Sequence, residues 1–114
     1  TAYDIPLRLV GSEMCIRDRV GMKADGTIPE GTVEQFEIAL KTIDTCLREA
    51  GGKPNQIVKV QIFMTDISER SSINPIRIEY FGDHKPASTL VEVSALVDPR
   101  MRVEIEAVAY IDDK

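Results

Sequence analysis

Residues 102–111 alternate without a break. Val103, Ile105, Ala107, Ala109 and Ile111 fall on one side of an extended chain, and Arg102, Glu104, Glu106, Val108 and Tyr110 fall on the other. A period of two marks a strand with one face in a core. Residues 57–65 repeat the pattern, with Val58, Val60, Ile62 and Met64 opposed to Lys59, Gln61, Phe63 and Thr65. Residues 89–95 set Thr89, Val91, Val93 and Ala95 against Leu90, Glu92 and Ser94. These strands demand a sheet whose second face is mixed: Phe63, Leu90 and Val108 stand beside Gln61, Glu92, Glu104 and Glu106. That face is too apolar for water and too polar for a monomer's core. A subunit interface, with cyclic symmetry, is the expected cover.

Two helices complete the pattern. Phe36, Leu40, Ile43, Leu47 and Ala50 recur at spacings of three or four, which makes one apolar stripe. Thr32 and Gln35 predict a capping box at its start, and Gly51-Gly52 predict its end. A second helix is predicted over residues 72–81, with Ile73, Ile76, Tyr80 and Phe81 buried, Pro75 in the first turn and Gly82 at the end. Asp25-Gly26 and Asp98-Pro99 read as turns. From residue 20 the order is strand, helix, strand, helix, strand, strand. This is an α+β or split β-α-β pattern in which two helices can cover only one sheet face.

The 114 residues amount to one domain. Fourteen basic against 19 acidic residues, a net charge of −5, argue against binding nucleic acid through its phosphates, and the basic residues are scattered. Two cysteines and one histidine give no disulfide framework, zinc cluster or multi-histidine site. No apolar run approaches the roughly 18 residues of a membrane span. With no leader-like start, the expected compartment is the cytoplasm. Residues 13–18 (EMCIRD) read like the translation of a transposon-end adapter used in DNA sequencing libraries. Residues 1–19 are therefore expected to be non-native read-through or altered N-terminal strands, and residues 20–114 the domain. The other reading is a native hairpin, with Leu7 and Leu9 alternating against Met14 and Ile16 around Gly11-Ser12. Cys15 carries no functional weight either way.

Several segments in this order carry a family resemblance: Asp25-Gly26, the helix entry at Gln35, LREAG at 47–51, IVKVQIFMTD at 57–66, NPIRIEYF at 74–81, Pro86-Ala87-Ser88-Thr89, and VEIEAVA at 103–109. Over residues 20–111 the chain resembles the RidA family, also called YjgF or reactive-intermediate deaminase proteins. The resemblance implies a chorismate-mutase-like mixed sheet with two helices packed on one face, assembled as a homotrimer with clefts between subunits. It implies hydrolysis of 2-imino or enamine acids, formed when pyridoxal-phosphate enzymes dehydrate serine or threonine, to a 2-keto acid and ammonia. It implies no metal and no organic cofactor. The family's start includes a tyrosine that lines the cleft, and Tyr3 is not mapped onto it.

The resemblance makes Glu104 the acidic residue that orients the attacking water, while on residues alone Glu104 and Glu106 also read as solvated or interface-paired strand residues. Ser88 stands where deaminase members carry the arginine that binds the substrate carboxylate. A hydroxyl cannot replace that charge-assisted, bidentate pair. Leu90 stands where a cysteine is common. Asn74 matches a cleft asparagine, or else caps a helix ahead of Pro75. Thr89 joins Ser88 and Asn74 as the substrate-binding set. Arg100 and Arg102 are candidates for the missing positive charge, with an Arg102–Glu104 salt bridge the plainer role for Arg102. His84 is expected at the surface, Cys46 as a small buried hydrophobe, and Phe63, Tyr80 and Phe81 in core or interface. The expected function is hydrolytic deamination of reactive enamines or imines to a carbonyl compound and ammonia. The alternative is a non-catalytic small-molecule-binding module on the same trimer. Expected partners are further copies of the chain and a small molecule, without nucleic acid or membrane. RNA cleavage, attached to some relatives, is disfavoured by the acidic balance.

Overall fold

A computed structural model describes residues 7–9 and 13–111. Tyr3, the Gly11-Ser12 turn and the tail at 112–114 lie outside the described residues. The chain runs β1 (Leu7–Leu9), β2 (Glu13–Val20), α1 (Thr32–Glu49), β3 (Ile57–Met64), α2 (Arg70–Phe81), β4 (Ala87–Glu92) and β5 (Val103–Tyr110). The sheet order is β1-β2-β5-β3-β4, antiparallel except that β3 and β4 run parallel. This is the mixed α+β sheet with two helices that the sequence predicts.

The core lies between the helices and one sheet face. Phe36, Ile43 and Leu47 of α1 and Ile73 of α2 are fully buried with Ile62, Met64, Val103 and Ile105 of the central strands. Each such side chain stabilises the fold by about 1.5–3 kcal/mol. The alternation of β5 is reproduced residue by residue: Val103, Ile105, Ala107 and Ala109 are buried, while Glu104, Glu106 and Val108 are half-buried on the other face. Gly21 is needed where β2 passes α1, since a Cβ there would lie 2.3 Å from the Gln35 Cα. At the far end of α1, Gly51 takes a left-handed φ of 86° and its N–H donates to the Arg48 carbonyl.

Six local expectations are corrected. The two faces of β4 are the reverse of those predicted, since Leu90 is level with Ile62 and packs on the core while Val91 is level with Phe63 and 38% exposed. The alternation of β3 is not strict. A bulge sets Ile57 opposite Ala109 but Lys59 opposite Val108, so Ile57 turns inward and Val58 is left 40% exposed. The capping box does not form. Gly31 is the N-cap, without a side-chain cap bond, while Thr32 Oγ1 donates to Glu69 Oε1 (2.6 Å) and Gln35 is used elsewhere. Asp66 starts a 3₁₀ turn (Ile67–Glu69) by accepting from the Ser68 N–H, and α2 follows directly from Arg70. Pro75 is therefore interior to α2, not in its first turn. The β4 strand ends at Glu92 rather than near residue 95, and His84 is half-buried rather than at the surface.

Candidate functional site

Two strand ends and one helix position the predicted residues, and the register sorts them onto two faces. Ser88 is level with Val60, a core position, so it points to the helix side of the sheet. Thr89 is level with Gln61, which pairs in turn with Glu106, so Thr89 points to the uncovered side. Glu104 lies opposite Phe63 on β3 and Val20 on β2, also on the uncovered side. Asn74 sits on α2, on the helix side. One chain thus brings Asn74 and Ser88 together and holds Glu104 and Thr89 on the opposite face.

The residue that joins Asn74 to Ser88 is Arg77. Its Nη1 donates to Asn74 Oδ1 (2.9 Å) and its Nη2 to Ser88 Oγ (3.0 Å). Asn74 is exposed within α2 and caps nothing. Arg77 was absent from the sequence-derived set. Its signal was the i, i+3 spacing from Asn74, which places both on one side of a helix, but only the sheet register shows that Ser88 comes to the same place. The Arg77 Nε is buried without a hydrogen-bond partner. A cavity of about 470 Å³ opens here, lined by Asn74, Arg77, Phe81, His84, Lys85 and Pro86 among others. His84 bonds through Nε2 to the Ile57 carbonyl, which ties the loop after α2 to the start of β3 and holds one cavity wall.

Of the other candidate cations, Arg100 is engaged elsewhere. Arg100 pairs with Asp98 (Nη2–Oδ2, 2.9 Å), and the Arg102 backbone N–H donates to Gln35 Oε1 (2.7 Å). A second cavity of about 450 Å³ lies between the helices. Its central charges satisfy one another: Arg48 Nε meets Asp44 Oδ2 at 2.8 Å, and the Tyr80 hydroxyl donates to Asp44 Oδ1 at 2.7 Å. Burial, then this bond, pushes the Tyr80 phenol above its ordinary pKa. Among the described residues, no group of three or more His, Cys, Asp or Glu side chains is placed to hold a metal ion. No helix among them is long and apolar enough to cross a membrane.

A family model described as Endoribonuclease L-PSP matches residues 18–111. The chain belongs to this family. It is the YjgF/RidA family of the sequence resemblance, under another description. A RutC family protein of Pyrococcus abyssi is 38% identical over 86 residues, which are 75% of this chain and 67% of that protein. A Mus musculus protein named 2-iminobutanoate/2-iminopropanoate deaminase is 39% identical over 83 residues, 72% of this chain and 60% of its own length. Among solved YjgF/RidA structures, E. coli TdcF with bound serine superposes with a TM-score of 0.86 at 25% identity, covering 94% of this chain and 86% of the other.

Proposed function

We propose that this YjgF/RidA-family chain hydrolyses enamine or imine intermediates to a carbonyl compound and ammonia, at a site between copies of a homotrimer in the cytoplasm. The observation that carries the reading is the placement of Glu104, a half-buried carboxylate on the uncovered sheet face with Phe63 and Val20 as strand neighbours. Such surroundings suit a group that takes and returns protons. The similarity to the mouse protein named a deaminase names the reaction. Water adds its oxygen to the imine carbon, with Glu104 accepting its proton and returning it to nitrogen. Glu104 then takes the hydroxyl proton of the resulting carbinolamine and passes it to the amine nitrogen, the C–N bond breaks, ammonia leaves, and the carbonyl forms. Asn74, Ser88 and Thr89 are the proposed substrate contacts. Because Glu104 and Ser88 face opposite ways within one chain, a second copy must complete the site.

The test is ammonia release from freshly generated 2-iminopropanoate. Wild type should exceed the spontaneous rate, and Glu104→Gln should lower kcat by about 10²-fold or more. Full activity in Glu104→Gln overturns the assignment. Stabilisation by small molecules without turnover supports the second reading, a non-catalytic binding module on the same trimer.

The reading takes residues 20–114 as the domain and residues 1–19 as read-through or altered N-terminal strands, with β1 and β2 recruited beside β5. Sequencing across the intact gene tests it: continuous coding of residues 13–18 there would refute the read-through.

A further inference from the structure

The chain carries a net charge of −5, yet the cavity beside α2 is lined by Arg77, Lys85 and His84 and by no carboxylate among the described residues. A cationic pocket on an acidic protein calls for an anion, because the rest of the surface repels one. Arg77 is also held in place for the task. Asn74 Oδ1 and Ser88 Oγ each take one N–H from a different Nη, which fixes the plane of the guanidinium. Each Nη keeps a second N–H, and the Nε–H has no partner. A planar guanidinium with donors to spare matches the two oxygens of a carboxylate. An orphaned buried N–H also raises the energy of the unliganded arrangement.

We infer that Arg77, positioned by Asn74 and Ser88 and supported by Lys85, binds the carboxylate of a small organic acid in this cavity. In this chain the anion-binding guanidinium reaches Ser88 from helix α2 and does not belong to strand β4. The inference rests on the imine-hydrolysis reading for the substrate's identity, and it alters that reading at one point: the serine at position 88 does not deprive the site of a charge-assisted carboxylate contact.

The experiment titrates the full chain with 2-oxobutanoate in chloride-free buffer, following arginine Nε–H signals by NMR and heat by calorimetry. Wild type should bind saturably with one Nε–H signal moving. Arg77→Gln should weaken binding about tenfold or more, and the neutral analogue 2-butanone should not bind. Arg77→Lys keeps the charge without the fork and should bind at least several-fold more weakly than wild type, which tests the point even if Arg77→Gln fails to fold. Undiminished binding by Arg77→Lys or Arg77→Gln overturns the inference. So does inorganic phosphate binding as tightly as the keto acid, since the site would then be a general anion trap. The two proposals fail separately. Arg77-dependent binding without ammonia release from 2-iminopropanoate removes the deaminase reading alone. Ammonia release with an unchanged KM in Arg77→Gln removes this inference alone.

Discussion

At the scale of single residues, the side chain with the most structural consequence outside the site is Gln35. It is completely buried, and its Nε2 donates to the Pro29 carbonyl (2.7 Å) and the Arg100 carbonyl (2.9 Å) while its Oε1 accepts from the Arg102 N–H (2.7 Å). One amide thus ties α1 to the loop before it and to the entrance of β5. Gln35→Leu leaves three backbone groups unpaired and should cost about 3 kcal/mol in urea unfolding. A loss under about 1 kcal/mol would mean that water replaces the amide. The sequence shows Gln35 only as a helix-entry residue, because its partners are up to 67 positions away. Asp98 makes a pH-dependent contribution. Its carboxyl is held down to about 2, first by the Arg100 side chain and then by the Arg100 backbone N–H. A depressed carboxylate stabilises the folded state above its ordinary value of 3.8 and loses that contribution as pH falls through about 2. The stability gap between wild type and Asp98→Asn should be constant near neutrality and close between about pH 4 and pH 2. A gap that persists at the acid end would assign it to geometry instead of charge.

At the scale of elements, α2 is the one that departs from its own local preferences. Pro75 lies inside the helix, where it removes a hydrogen bond and crowds the preceding turn. It is solvent-exposed, so no packing compensates. Pro75→Ala should raise stability by about 1–3 kcal/mol, read as a higher urea midpoint at unchanged slope. No gain would show that the distorted turn is relaxed by its neighbours. The sequence placed Pro75 one turn too early because the helix start depends on the 3₁₀ turn capped by Asp66, and such a turn has no periodicity to read. The ends of β3 and β4 shifted for a related reason. A bulge is a property of two paired strands, and Val58 looks like a core residue until β5 sets the register.

At the scale of the whole molecule, the uncovered sheet face organises what remains. Phe63, Val91, Val108 and Tyr110 lie there among Gln61, Thr89, Glu104 and Glu106, and Val91 and Tyr110 are exposed. On the proposed trimer this face is an interface. Wild type should sediment as a trimer, and Val108→Glu should shift it toward monomer while far-UV circular dichroism is retained; a wild-type monomer at micromolar concentration would refute the proposal. The sequence by itself determined the α+β class, the two helices, the inward residues of β5 and the family, because periodic burial and short ordered segments are local properties. It also carried Ser88, Asn74, Thr89 and Glu104 as site candidates. Only the tertiary structure decided that these residues divide between two faces and that Arg77 bridges Asn74 to Ser88. Those contacts depend on strand register and on the packing of α2 beside β4, and both are set by hydrogen bonds and core contacts between segments far apart in the chain.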